Sequence, residues 1–352
     1  VIHIAGQRHH VITGVERMPP FLMILTSASD MWAYLTSYGG ITAGRRNVDH
    51  ATFPYRTEDL VADDADVTGG VTRLRVTDSS GHTSEWRPFA PTHPDLPRVE
   101  RSVAKTDLGD VVHFEERRPD LDATIRVSWR VSPRFGLVRS VTLTCADPRG
   151  LDVQIIDGVR NVLPPGVTAR TQREMSPLLD AYKISELDPA TGLAWVRLNS
   201  MLTDKAEASE ALAATAMWQV GAQPTGHHLS TDVLHGWGTG EAGTQARGQR
   251  AAYLIEVAHH LTPATPARWS IVVDVDQDAA ALVDLQELLT DPAHLQIALE
   301  DDIAAGRSAL RALVGSSDGW SRSGDAMADA HLAASTMFNL MRGGVPLDGY
   351  TV

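Results

Sequence analysis

The richest concentration of side chains able to do chemistry lies between Met31 and Asp59, MWAYLTSYGGITAGRRNVDHATFPYRTED. One short loop there carries Gly44, Arg45, Arg46, Asn47, Asp49 and His50, and Phe53-Pro54-Tyr55-Arg56 follows it. Guanidinium forks match planar anions, a carboxylate accepts hydroxyl protons, and an aromatic ring offers an apolar face. Such a set suits a sugar ring, a phosphate or both. A plainer alternative stands beside it, a glycine turn whose arginines pair with nearby acids. The element that must carry this loop reads as a strand, with Trp32, Tyr34, Thr36 and Tyr38 on one face at period two. It breaks at Gly39-Gly40, where the backbone can turn or come close to a partner.

Other constellations are weaker. His9-His10, His227-His228 and His259-His260 invite a metal site, but neighbours on a strand point to opposite faces and do not readily share an ion, so no metal is expected. The run GWGTGEAGTQARGQ, 236–249, lacks the Gly-Lys-Ser/Thr ending of a phosphate cradle and reads as a mobile loop. Glu115-Glu116 and Asp63-Asp64 neighbour turns and charged surface, and Asp301-Asp302 lies on a helical segment. None is marked as a general acid or base, no Gly-x-Ser-x-Gly elbow is present, and no residue is singled out as catalytic. Cys145 sits in the strand-like run VRSVTLTCA and reads as an inert core residue.

From about residue 20 to 276, short runs rich in β-branched and aromatic residues alternate with Gly, Pro, Asp and Ser. Strands are expected at 21–27, 31–37, 71–77, 98–104, 111–117, 124–131, 137–145, 153–162, 182–187, 194–200, 211–220, 229–234, 251–260 and 269–275. Asp78-Ser79-Ser80-Gly81 and Asp107-Leu108-Gly109-Asp110 supply hairpin turns. Strands at this spacing without intervening helices predict a large two-sheet antiparallel sandwich over 1–276. After it the apolar residues fall at helical spacing: Leu282, Leu285, Leu288, Leu289, Leu295, Leu299, Ile303, Leu310 and Leu313. Asp291-Pro292 opens a helix, 315–324 is a loop, and a last helix spans about 325–341. The segment 277–352 therefore reads as a helical linker.

A formal charge of −13 with no Lys/Arg-rich run argues against non-specific nucleic-acid binding. No stretch reaches the 18 or so apolar residues of a membrane span. The N-terminus lacks the basic and long apolar regions of a signal peptide and begins without methionine, so a processed chain or a piece of a longer one is expected. One cysteine fits a cytoplasmic setting.

The order of segments resembles the N-terminal half of glycoside hydrolase family 94, the cellobiose-phosphorylase-like enzymes. The match rests on SYGGITAGRRNVDHATFPYRTEDL (37–60), VTRLRVTDSSGHTSEWRPFAP (71–91), RWSIVVDVDQD (268–278) and HLAASTMFNLMRGGVPLDGYTV (331–352). The resemblance implies a mainly β fold, a galactose-mutarotase-like supersandwich, then helices leading to an (α/α)6 barrel that would hold the general acid. It implies an accessory domain acting with that barrel on an oligosaccharide such as a β-glucoside. Inorganic phosphate would be the co-substrate of phosphorolysis, with no organic cofactor and no metal. In such an arrangement 39–56 would cap the barrel mouth, Arg45 and Arg46 facing phosphate or hydroxyls, Asp49 accepting hydroxyl protons and Tyr55 stacking on a ring. Oligomeric state, a homodimer included, stays open.

Two other classes compete. A carbohydrate-binding module would present Trp129 or Trp195 as a platform, and a self-contained mutarotase-like enzyme would bring His and Glu together on a concave sheet. An uncovered apolar face on the helices at 282–341 would favour the accessory domain.

Overall fold

Along Gly136–Cys145 the side chains alternate, with Leu137, Arg139, Val141 and Leu143 on one face and Val138, Ser140 and Thr142 on the other. This parity separates two apolar cores. In the computed structural model, which describes residues 1–4, 6–91, 97–200, 211–237, 243–316 and 323–341, Leu137, Val141 and Leu143 enter an inter-sheet core. Val138 faces away from it, under the C-terminal helices. The neighbouring strand Ala267–Asp278 repeats the division: Trp269, Ile271 and Val273 point inward and Val272 outward.

Among the described residues the larger sheet has eleven antiparallel strands. Its order is Ile2–Ile4, Gln7–Thr13, Glu100–Thr106, Val111–Arg118, Ala123–Ser132, Gly136–Cys145, Ala267–Asp278, Ala213–Val220, Ala194–Leu198, Lys183–Leu187 and Gln245–Arg247. Facing it is a five-stranded sheet in the order Gly226–His228, Ala251–Leu261, Leu151–Val162, Gly69–Thr77 and Thr83–Trp86. Ile155, Val159, Leu74, Val76, Tyr253 and Ile255 from that sheet complete the inner core. The fold is thus mainly β, a large antiparallel sandwich with helices at its C-terminal end, and both hairpin turns read from the sequence close as expected, through Gly81 N to Asp78 O and Gly109 N to Thr106 O.

Three expectations need correction. First, a third, four-stranded sheet (Leu22–Leu25, Met31–Thr36, Ile41–Arg45, Ala51–Phe53) joins the two, and it makes a strand of part of the stretch read as loop. Gly44 allows this: a Cβ there would lie 2.7 Å from Ala51 Cα and 2.8 Å from the Trp32 ring, so only glycine lets these strands approach. Second, a helix, Ala169–Tyr182, interrupts the strands; Thr168 caps it by accepting from Thr171 N, and Pro177 with the non-helical Met175 kinks it and hides its period. Third, the strand expected at 229–234 is replaced by a 3-10 turn, Asp232–His235, entered where the Ser230 hydroxyl accepts from Asp232 N.

The helix Pro292–Ser316 begins at the cap expected of Asp291, whose carboxylate accepts from His294 N, and Ala279–Leu288 begins at Asp278, whose carboxylate accepts from Ala281 N. Their apolar side is covered by this chain's own large sheet: Leu285, Leu289, Leu295 and Leu299 pack on Phe135, Val138, Trp218 and Val272, and Leu310 and Val314 on Leu108. Arg130–Glu300 and Arg307–Asp110 pairs flank the seam. Val283, Ile297, Met327 and Leu332 remain exposed. No helix among the described residues is long and apolar enough to cross a membrane. The last expected helix is present as Ala326–Met341, while the tail, 342–352, lies outside the described residues, as do 238–242 of the glycine-rich run.

Candidate functional site

The four side chains expected to meet a ligand are placed in four different settings. Arg45, at a strand end, is spent within the chain: its Nε and Nη2 donate to the two oxygens of Asp274 at 2.7 and 3.0 Å. Nη1 donates to Asp30 at 2.6 Å and Nη2 also to the Pro133 carbonyl. These contacts pin the third sheet to the large one. Burial lifts Asp274 to about 6 although Arg45 pulls it down, and the same pairing raises Arg45. Arg46, in the left-handed region at φ 54°, is half exposed and pairs with His50 and Asp276. Asp49 accepts from Ala169 N at 2.9 Å, at the start of the helix the sequence had hidden. Tyr55 is exposed and lies edge-on to Trp32 at 5.9 Å.

Each histidine pair splits across its strand. His10 meets Asp107 at 2.7 Å while His9 turns inward; His260 meets Asp152, and His259 the Thr265 carbonyl. His228 lies 3.5 Å from Glu256, and His227 packs on Tyr253. Among the described residues no three His, Cys, Asp or Glu side chains converge on one point. Glu115 pairs with Arg126 outside, whereas Glu116 is fully buried and accepts from Trp86 Nε1, Phe89 N and Arg101 Nε at 2.5 to 2.8 Å. Cys145 is buried and burial pushes its thiol up. Trp129 is buried edge-on against Phe53, and Trp195 donates to Glu186 beside the helix-covered core, so neither forms an open platform.

A ligand-sized opening lies elsewhere, in a cavity of 520 Å³ at one end of the sandwich. That volume is within the range of about 300–1,000 Å³ common to small-molecule sites. Its walls come from strand starts at Gly70–Arg73 and strand ends at Arg160–Asn161, with Trp129 and Arg139 behind and loops 87–91 and 231–235 over it. Among the described lining residues are five arginines, Arg73, Arg87, Arg139, Arg160 and Arg250, against one carboxylate, Asp66.

Most of these cations are held by acids. Arg139 donates to Asp157 at 2.6 Å, a carboxylate that also accepts from Trp269 Nε1 at 2.7 Å and Thr72 Oγ1 at 2.6 Å. Arg73 forks onto Glu85 at 3.1 Å and lies over the Trp237 ring. Arg250 and Arg87 reach Asp180 and Glu85 at 3.6 Å. Arg160 differs: it donates to the Ala65 carbonyl at 3.0 Å and has no ion pair among the described residues. Burial lowers its pKa against the attraction of Asp66. The buried Nε atoms of Arg73, Arg139 and Arg160, and Oδ1 of Asn161, have no hydrogen-bond partner among the described residues. Gly70 keeps this wall open, because a Cβ there would sit 2.6 Å from Arg139 Nε and 3.3 Å from the Trp129 ring.

Among the described lining residues there is no pair of carboxyl groups for acid–base work: Asp66 is the one carboxylate, and Asp157 lies behind the lining, occupied by Arg139, Trp269 and Thr72. These residues were not singled out from sequence. Their signal was a charge at inward parity in an apolar strand, Arg139 in GLVRSVTLTC and Asp157 in VQIIDGV.

No family model matches the chain and no curated protein matches it. Among solved structures it is similar to a bacterial glucoamylase complexed with acarbose, 12% identical with a TM-score of 0.47, over 94% of this chain and 44% of that one. It is also similar to a polysaccharide lyase, 11% identical with a TM-score of 0.38, over 73% of this chain and 32% of that one. A GalM/aldose epimerase homologue from C. elegans is 14% identical with a TM-score of 0.40, over 73% of this chain and 98% of its own. The chain thus spans less than half the length of the glucoamylase and the lyase.

Proposed function

We propose that the chain is a sugar-binding β-sandwich segment of a carbohydrate-active enzyme, and that it binds sugar without transforming it. The observation that carries this reading is the 520 Å³ cavity, whose described lining sets arginine, threonine and asparagine side chains beside the Phe89 and Trp129 rings. A sugar ring presents hydroxyl donors and acceptors together with apolar faces, which such a mixed lining can match. The absence of a carboxyl pair among the described lining residues supports binding rather than glycoside cleavage. The order of sequence motifs supports a place beside a catalytic (α/α)6 barrel that would act on an oligosaccharide such as a β-glucoside. Phosphate as co-substrate, a homodimer and a cytoplasmic address belong to the same proposal. Arg46 and Tyr55 keep exposed surface and would touch a longer glycan at that barrel, with Arg45 and Asp49 fixing the loop that presents them.

Calorimetric titration of the chain with glucose and cellobiose tests this, together with an assay for release from an aryl β-glucoside in the presence of phosphate. Binding without turnover is expected. Turnover by this chain alone overturns the non-catalytic reading, and no binding of any sugar overturns the whole.

A further inference from the structure

Resting on that reading of the cavity, we infer that its ligand is an anionic sugar, a uronic acid or a sugar phosphate, whose negative group lies against Arg160. The whole chain carries −13, so its long-range field repels anions, yet this cavity concentrates five guanidiniums beside a single carboxylate among its described residues. Four of the five have a carboxylate within 4 Å: Arg139 at Asp157, Arg73 and Arg87 at Glu85, and Arg250 at Asp180. Arg160 has none among the described residues. A partly buried cation with no acid within 4 Å among the described residues destabilises the folded chain unless something negative comes closer, and a guanidinium fork is shaped for a planar or tetrahedral oxyanion.

The rest of the described lining suits the rest of the ring: Thr231 and His235 offer polar groups and Phe89 an aromatic face. Asn161 stands at φ 56°, in the left-handed region, with its amide nitrogen donating to Thr68 Oγ1 at 2.8 Å. Asp66 on the opposite side of the charge balance disfavours a second anionic group, so one negative substituent per ligand is the match.

The experiment is a calorimetric comparison on the full chain of glucuronic acid, glucose 6-phosphate, glucose and inorganic phosphate, at low and high salt. Both anionic sugars are expected to bind about tenfold or more tightly than glucose and than phosphate, since a hydrogen bond to a charged group adds at least that factor. Raising the salt narrows the gap. In Arg160→Gln the preference for the anionic sugars over glucose is expected to disappear, while Arg160→Lys keeps part of it and covers the case in which the glutamine variant does not fold. Equal affinity for glucose and glucuronic acid overturns the inference and leaves sugar binding standing. Phosphate binding as tightly as glucose 6-phosphate overturns it in favour of a bare anion site. Failure of all four to bind overturns both.

Discussion

Replacing Arg45 by alanine separates the two roles this residue could hold, a clamp between sheets or a group for a ligand. The variant strips Asp274 of two donors at 2.7 and 3.0 Å and leaves it with Gln277 Nε2 at 3.0 Å. A stranded buried carboxylate escapes by taking up a proton. From a pKa of about 6, protonation at pH 7 costs about 1.4 kcal/mol. The two hydrogen bonds lost add roughly 1 kcal/mol each, and the exposed Asp30 contact adds little. The sum, about 3–4 kcal/mol at pH 7, agrees with the ~3–5 kcal/mol typical of breaking a buried pair from one side. The pH dependence is the sharper test. Asp274 is raised above its unfolded value of 3.8, so its native form holds a proton that the unfolded chain has released, and its contribution to stability is lost as pH rises through about 6. At pH 5 the wild-type carboxyl is already largely protonated, so the protonation part of the Arg45→Ala penalty vanishes. The penalty should shrink by about 1.4 kcal/mol between pH 7 and pH 5 in urea denaturation, and a double variant with Asp274→Asn should recover part of it at pH 7. An Arg45→Ala chain as stable as the parent at pH 7, but weaker toward sugar or phosphate, refutes the clamp and restores Arg45 as a ligand group.

Three further outcomes follow from the packing. Leu299 is fully buried between its helix and the large sheet, so Leu299→Ala should lower stability by about 2–5 kcal/mol in the same denaturation assay; a neutral result means the helices do not belong to this body. His9 Nδ1 faces the Gln7 carbonyl and must donate, so His9 Nε2 accepts from His113 Nε2 at 3.1 Å and His113 Nδ1 accepts from Ser128; burial takes His113 down to about 3. Because that pKa lies below the unfolded 6.5, stability is present above pH 6.5 and falls by up to about 1.4 kcal/mol per pH unit below it, a slope His113→Gln should flatten in melts between pH 7 and pH 4. Gly70→Ala puts a methyl 2.6 Å from Arg139 Nε, so sugar affinity should fall together with a stability loss of about 1–3 kcal/mol.

How far the sequence disclosed this molecule depends on which interactions are local. The strands Val111–Arg118, Ala123–Ser132 and Gly136–Cys145 were legible because period-two alternation and Asp/Gly turns are written in neighbouring residues. Ile41–Arg45 was not, because Gly44 reads as a loop signal and only the strand Ala51–Phe53, brought in by tertiary packing, shows why its Cβ is missing. The helical period after Asp278 disclosed that one face is buried but not what buries it; the answer lay in the run Ala213–Val220, where nearly every residue is buried because one parity meets the inner core and the other meets the helices.

The same limit governs the site. Arg45 and Arg46 drew attention because they are adjacent in sequence, but adjacency says nothing about whether a cation is already neutralised, and Asp274 and Asp276, more than two hundred residues away, neutralise both. Arg139 and Asp157 were passed over although each is a charge at inward parity in an apolar strand, and two such intrusions of opposite sign in one sandwich are best explained by meeting, as they do. Arg160 is the informative case because no acid lies within 4 Å of it among the described residues, Asp66 attracting it only from farther off. A cation carried into a cavity wall without a partner from its own chain directs attention to what comes from outside, and that, more than any motif, is why the cavity and not the arginine loop is the place to look for the ligand.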